Sequence, residues 1–276
     1  MIISQIIYRH FLKFVELKTN SFTLNSHETH FKCNDNTDYY YQEYYSIKEP
    51  TPPLYDTTCD SCQDHFLNNQ PNIAHAEDIK RGIDIELSFM DYLNFLFEKR
   101  KLELVCQKAD IKFKNMPDLK VIDKFNNEVI CYIEMKSIFK PFIKINKFMG
   151  GDYYCNSNSL TLDSDQKLEK QFELIESEGI QHQTIYVYWY DIPCLKGIFW
   201  SSYEHVISCR ENQGFYERNT VSGDYNGSKK SGHTQKIYLN IKNMNDLESL
   251  ISYVSINKII PTLKINNYFE LDKYHF

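Results

Sequence analysis

The amino-acid sequence predicts an α/β protein in which helices flank a mixed central β-sheet, with irregular additions at both ends of the chain. Residues 81–195 follow the order helix, three β-runs, helix and a further β-run, which is typical of α/β domains. The last run, 184–190, is an unbroken series of β-branched and aromatic residues, as in a central strand buried on both faces. No internal repeat competes with this interpretation.

The composition is that of a globular chain of one large or two small domains. Its 276 residues are 42% hydrophobic and 25% charged, and the mean hydropathy is −0.51, so we expect no membrane-spanning helix and no membrane partner. Arg9, His10 and Lys13 interrupt the apolar N-terminus too early for a secretory signal. Eight cysteines are too sparse for a disulfide framework. We therefore expect a cytoplasmic protein with mostly reduced thiols.

Residues 1–80 predict a helix within 1–20 and then an irregular segment, 19–72, that is rich in Asn, Thr, Asp and Tyr. The aromatic run 39–45 has the rings needed to stack on nucleic-acid bases. Its alternative is a half-buried strand or an ordered surface loop. We interpret this region as a recognition or zinc-binding segment.

Four side chains in this N-terminal region have a spacing that approximates a structural zinc site. The pattern is His30-x-x-Cys33 followed by Cys59-x-x-Cys62, with His65 as a substitute for His30. Two thiolates from one CxxC turn suit the tetrahedral geometry of Zn²⁺, and the metal would stabilise a segment with little apolar pattern. The alternative is a set of reduced thiols in a loop.

The regular core is predicted over residues 81–195. Its elements are a helix over 81–101, strands over 102–113, 116–124 and 128–137, a helix over 164–178 and the strand over 184–190. Phe125-Asn-Asn is a turn signal that joins the second and third strands as a hairpin.

Residues 196–276 are predicted to form a C-terminal extension. It contains a Gly/Ser/Asn-rich loop over 221–233, a strand over 236–241 and an amphipathic helix over 245–255. Lys229 and Lys230 in the loop are candidates for contact with a phosphate or a groove of DNA.

The helix over 81–101 carries an acidic side chain on its apolar stripe. Glu86, Met90, Leu93 and Phe97 recur at i, i+4, i+7 and i+11, so they share one face. A carboxylate facing the core has to be paired, protonated or bound to a cation. The alternative is a partly exposed glutamate at the edge of the stripe.

Two acids and a lysine are predicted to meet at the hairpin. Strand alternation places Glu134 and Lys136 on one face, opposite an apolar set at 129, 131, 133 and 135. Asp118 stands at the entrance of the neighbouring strand. Two carboxylates on adjacent strands supply hard oxygen ligands for Mg²⁺, with Mn²⁺ as the expected substitute. The lysine side chain would hold the water as an ammonium or deprotonate it as a free amine, and its positive charge would offset charge at phosphorus.

Pro117-Asp118, a gap of fifteen residues, and Glu134-Met135-Lys136 together resemble the signature of the PD-(D/E)XK nuclease superfamily, and the chain is most similar to a type II restriction endonuclease. The resemblance covers residues 81–191 and implies an αβββαβ restriction-endonuclease-like core. It implies that Asp118 and Glu134 bind the metal and that Lys136 positions or activates the water. Glu86 resembles the helix glutamate that some members use as an additional acid of the metal site, so the resemblance implies that it is a third Mg²⁺ ligand.

The helix over 164–178 adds three further candidates for DNA contact. Lys167, Lys170 and Gln171 fall at i, i+3 and i+4, and several relatives place basic or glutamine residues there, near the active site. The alternative is an ordinary solvated helix face.

Positive charge concentrates around the predicted hairpin. The segment 99–147 holds twelve Lys or Arg against six Asp or Glu, in a chain whose net charge is −6. Lys140, Lys144 and Lys147 follow the Glu-Met-Lys strand and are candidates for contact with backbone phosphates. The alternative is a lysine-decorated solvated face.

These observations predict a Mg²⁺-dependent endonuclease that hydrolyses double-stranded DNA, of the site-specific restriction type. A double-strand cut at a palindrome needs two active sites, so a homodimer is expected. One alternative is a structure-specific or repair nuclease, or an RNase, of the same superfamily. The other is a non-catalytic, zinc-bearing module that binds nucleic acid.

Overall fold

The computed structural model describes the backbone of about half of the chain, with gaps between the described segments. These segments are residues 11, 14–15, 31–33, 55–57, 75–109, 115–138, 158–162, 167–192, 195–213, 216–217, 225–226, 229–230, 235–239 and 243–257.

Helices and strands alternate along the described residues. The helices are α1 (His75–Lys99), α2 (Lys167–Ser177), α3 (Tyr203–Gln213) and α4 (Leu247–Asn257), with a 3₁₀ turn at Gln181–Gln183. The strands are β1 (Phe31–Cys33), β2 (Tyr55–Thr57), β3 (Leu104–Lys108), β4 (Leu119–Asp123), β5 (Val129–Ile138), β6 (Asn158–Leu162), β7 (Thr184–Ile192), β8 (Leu195–Ser202), β9 (Tyr216–Glu217), β10 (Tyr225–Asn226), β11 (Lys229–Lys230), β12 (Gln235–Leu239) and β13 (Asn245–Asp246).

Six strands form the main sheet, in the order β13-β8-β7-β5-β4-β3. β5 and β7 are parallel, and the other neighbours in this sheet are antiparallel. Parallel neighbours need a long connection, and the chain between β5 and β7 includes α2. The mixed α/β architecture predicted from the sequence is therefore confirmed.

Helices cover both faces of the main sheet. On the first face, residues of α1 and α4 pack with Phe11 and Val15 against apolar side chains of β3, β4, β5, β7 and β8. On the second face, residues of α2, α3 and β12 pack against Tyr186, Tyr188 and Phe199. Every residue from 184 to 189 is buried, so the prediction of a central strand buried on both faces is confirmed.

Helix α1 is anchored to β3, an edge strand of the main sheet. The Asn94 side chain donates to the Cys106 carbonyl at 2.8 Å and accepts from the Cys106 N–H at 2.7 Å. Outward-facing backbone groups of an edge strand lack a strand partner, and the amide of Asn94 supplies one. The helix ends where Lys101 takes a left-handed conformation (φ 55°). This anchoring fixes the position of the α1 side chains relative to β3.

The structure adds elements that the sequence analysis did not identify. α1 begins at His75, six residues before the predicted start. β8 and α3 follow β7 directly, and β6 pairs with β12 in a separate three-stranded sheet, β6-β12-β9. The main sheet continues past residue 195, since β8 and β13 belong to it. Lys229 and Lys230 form a short antiparallel pair with β10 inside the segment predicted as a loop.

A register shift lies in the β4–β5 hairpin, between Val121 and Ile122. Ile130 packs with the first-face core, although strict alternation predicted it on the face of Glu134. The bulge changes the alternation at the start of β5, and from Cys131 onwards the predicted faces hold. Within the part of the chain that the structure describes, no helix is long and apolar enough to cross a membrane.

We expect Asn94→Ala to lower the free energy of unfolding by about 2 kcal/mol, because two backbone groups of Cys106 lose their hydrogen-bond partner. Urea denaturation measures this change. The matched control is Asn212→Ala, at an exposed position on α3, where the expected change is below about 0.5 kcal/mol. Equal effects of the two substitutions would contradict the anchoring role of Asn94.

Candidate active site

The described strands bring Asp118, Glu134 and Lys136 together at one end of the β4–β5 hairpin. Leu119 pairs with Ile133 across the two antiparallel strands, so Asp118, just before β4, lies beside Glu134. The Asp118 carboxylate accepts a hydrogen bond from the Met135 N–H at 2.8 Å. This bond ties the aspartate to the backbone between the glutamate and the lysine.

Glu134 is almost fully buried, with 3% of its surface exposed. One of its oxygens, Oε1, accepts from the Lys136 ammonium at 2.5 Å, and the other, Oε2, accepts from the Gln171 amide at 3.0 Å. Lys136 reaches it because residues two apart on a strand share a face. A buried carboxylate is stable only when it is paired and hydrogen-bonded, and here both oxygens are occupied.

Negative charge accumulates around Asp118. Burial, followed by the nearby charges of Glu134 and Glu86, raises the pKa of the Asp118 carboxyl to about 7, while Lys136 and the Met135 N–H act in the opposite direction. For Lys136, burial lowers the pKa, but the carboxylates of Glu134, Asp118 and Glu86 outweigh it, so the pKa is raised. The lysine is therefore an ammonium at neutral pH.

Glu86 borders this cluster from α1. Its carboxylate forms an ion pair with the ammonium of Lys108, at the end of β3, and its charge acts on both Asp118 and Lys136. The Glu86 side chain is 20% exposed. This exposure lies between the two alternatives of the sequence analysis, a carboxylate facing the core and a partly exposed glutamate at the edge of the apolar stripe. Sequence reasoning did not single out Lys108. The sequence feature that could have identified Lys108 is its position at the end of the β-run before Pro117-Asp118.

The donor set at this site fits a hard divalent cation. In the described segments no group of three or more His, Cys, Asp or Glu side chains is placed to hold a metal ion. Asp118 and Glu134 form a pair of carboxylates, and Mg²⁺ commonly uses one or two carboxylates and keeps several waters. Burial, and after it repulsion from Glu134 and Glu86, raises the pKa of the Asp118 carboxyl. A cation at this position would relieve that repulsion.

The other candidates for DNA contact and zinc binding are either described by the structure or lie outside the described segments. Gln171 lies at the site, and Lys170 is exposed on α2, while for Lys167, Lys229 and Lys230 only the backbone is described. Residues outside the described segments are Lys140, Lys144, Lys147, His30, His65, Cys59 and Cys62. Cys33 ends β1, which pairs in parallel with β2. The zinc site and the lysine contacts stay predictions.

Comparison with known proteins gives a weak structural likeness only. No family model and no curated protein matches the chain. A solved structure of D212, a nuclease from a fusselovirus, aligns with a TM-score of 0.41 and 6% sequence identity, over 69% of this chain and 98% of that chain. A TM-score this low identifies neither fold nor activity, so the function has to be inferred from the site's own residues.

Asp118→Asn is expected to stabilise the metal-free protein at pH 8, by about 1 kcal/mol or more, because the raised pKa means that an ionised Asp118 destabilises the folded state. The gain is full above the folded-state pKa of about 7 and disappears as the pH falls through the unfolded-state value of about 4. Urea unfolding in EDTA at pH 8 and pH 4 measures it.

The control for this substitution is Glu98→Gln, at an exposed position near the end of α1, which is expected to leave the free energy of unfolding within about 0.5 kcal/mol of the parent at both pH values. If Asp118→Asn instead lowers the free energy of unfolding at pH 8, the ionised Asp118 carboxylate does not destabilise the folded state.

Proposed function

We propose that this protein is a Mg²⁺-dependent endonuclease that hydrolyses phosphodiester bonds in double-stranded DNA, of the site-specific restriction type. The observation that carries the proposal is the convergence of the Asp118 and Glu134 carboxylates with the Lys136 ammonium. Two carboxylates beside one cationic donor are the parts required for metal-assisted attack of water on a phosphodiester.

Each residue has a distinct task in this reaction. Asp118 and Glu134 would hold Mg²⁺, with Mn²⁺ as a substitute, and this ion would supply polarisation of a phosphoryl oxygen and a lowered pKa of water. Lys136, as an ammonium, donates to the attacking water or to a phosphate oxygen and offsets charge in the transition state. Water adds to phosphorus and gives up a proton to the solvent, the ester P–O bond breaks, and the leaving oxygen takes up a proton from the solvent.

DNA as the substrate is supported by the charge around the site. Lys108 on β3 and Lys120 on β4 are partly exposed, and both belong to the basic segment within an acidic chain. Lysines beside the site would contact backbone phosphates without reading sequence. Sequence recognition is assigned by this proposal to the irregular segments 1–80 and 196–276.

Incubation of plasmid DNA with the protein and Mg²⁺ is expected to give discrete fragments, and EDTA is expected to abolish them. Asp118→Ala and Lys136→Ala should each lower the cleavage rate by a factor of about 100 or more, since each removes a ligand or a transition-state donor. The matched control is Lys124→Ala, at the exposed turn of the same hairpin, which should cleave like the parent. Gel analysis with mapping of the DNA ends measures both.

Other outcomes of this experiment identify the alternatives. Structure-dependent nicking, or cleavage of RNA, would replace the restriction type by another nuclease of the superfamily. No cleavage, together with unchanged nucleic-acid binding by both variants, would favour a binding module that lacks catalysis.

The restriction type includes the proposal that two copies act on one palindromic site. Light scattering of the protein, alone and with a DNA fragment that contains a cleavage site, is expected to show a mass of two chains in at least one of these states. A single-chain mass in both states would contradict the dimer and leave the single-site chemistry unaffected.

A further inference from the structure

Gln171 of α2 has both ends of its amide engaged inside the core. Its Nε2 donates to Glu134 Oε2 at 3.0 Å, and its Oε1 accepts from the Tyr186 hydroxyl at 3.2 Å. Glu134, Gln171 and Tyr186 are all buried. A chain of hydrogen bonds therefore runs from the hydroxyl of β7 through the amide of α2 to the carboxylate of β5.

The direction of this chain follows from the donor and acceptor inventory. A carboxylate only accepts, so Gln171 has to present its NH₂ group to Glu134, which turns its carbonyl oxygen away. That buried oxygen then needs a donor of its own. Burial raises the pKa of the Tyr186 hydroxyl well above its usual value, so the proton that it donates is retained.

Tyr186 and Tyr188 form a natural pair for comparison. Both are buried on the same face of β7 and pack in the same apolar cluster, and they lie opposite Glu134 and Lys136 respectively in the parallel register. The Tyr188 hydroxyl has no hydrogen-bond partner within the described part of the chain. Packing in the apolar cluster accounts for the burial of both tyrosine rings. Of the two hydroxyls, the one of Tyr186 joins the chain of hydrogen bonds to Glu134.

We propose that Tyr186 is a positioning residue, whose hydroxyl holds the Gln171 amide so that Gln171 fixes the Glu134 carboxylate for a divalent cation. This inference rests on the proposed function. Without the hydroxyl, Gln171 Oε1 is buried without a donor and the amide is free to rotate, so Glu134 loses the restraint that Gln171 supplies. The loss falls on ion binding and turnover, not on the affinity for DNA.

The first test compares Tyr186→Phe with Tyr188→Phe, because each removes one hydroxyl from the same cluster. Binding of Mn²⁺ alone is measured by electron paramagnetic resonance of the free ion. Tyr186→Phe is expected to weaken it about fivefold, as for the loss of one buried hydrogen bond, whereas Tyr188→Phe binds Mn²⁺ like the parent. With an intact plasmid that the parent protein cleaves as the substrate, Tyr186→Phe should lower kcat and leave KM unchanged.

The second test asks whether Tyr186 acts through Gln171. Gln171→Met keeps the length of the side chain and removes the amide. In that background Tyr186→Phe is expected to cause no further loss of Mn²⁺ affinity, since the connection is already broken. Urea unfolding of every variant separates a change at the site from a change in stability.

Three results would overturn the proposal. They are a Tyr186→Phe protein that binds Mn²⁺ and cleaves like the parent, equal losses in Tyr186→Phe and Tyr188→Phe, and additive losses in the double variant. In each of these cases a parent protein that binds Mn²⁺ and cleaves DNA leaves the proposed function standing. A parent that neither binds Mn²⁺ nor cleaves overturns both.

Discussion

Glu134 lies almost fully buried in the central sheet, and a carboxylate in that position requires a partner for each oxygen. Lys136 supplies one partner from the same strand, and Gln171 supplies the other from a helix that packs on the sheet. The opposite side of β5 contributes Ile133 and Met135 to the apolar core. One strand therefore serves both stability and the site, because its side chains alternate between two environments.

The carboxylates at this site differ in the partners that they contact. Lys136 pairs with Glu134 and Lys108 pairs with Glu86, while Asp118 is left with one backbone N–H among the contacts of its carboxylate. Burial first, and then repulsion from Glu134 and Glu86, raises the pKa of the Asp118 carboxyl. Such repulsion is a cost to the folded protein that sites of function commonly carry, and a bound cation would reverse its sign. Stability and ion binding are thus opposed at a single side chain.

Local patterns in the sequence were sufficient for the central part of the fold. The alternation in β5 placed Glu134 and Lys136 on one face, and the unbroken run of β7 indicated burial on both faces; the structure has both features. The contact between Glu86 and Lys108 joins a helix to an edge strand, and no local period encodes that pairing. β8 and α3 were missed because their segments show neither clear alternation nor a strong apolar stripe. The role of Tyr186 depends on the parallel pairing of β5 with β7, which is equally non-local.

The position of the site within the layers limits how a substrate approaches it. Glu86 reaches it from α1, on one side of the sheet, and Gln171 reaches it from α2, on the other. Both layers thus meet at the end of the β4–β5 hairpin, and in the proposed reaction a phosphodiester would approach along that end of the sheet. The partly exposed lysines on β3 and β4 flank this end. Their charge would attract a polyanion, and in the proposed reaction the buried Glu134 would set the depth that the reacting phosphate has to reach.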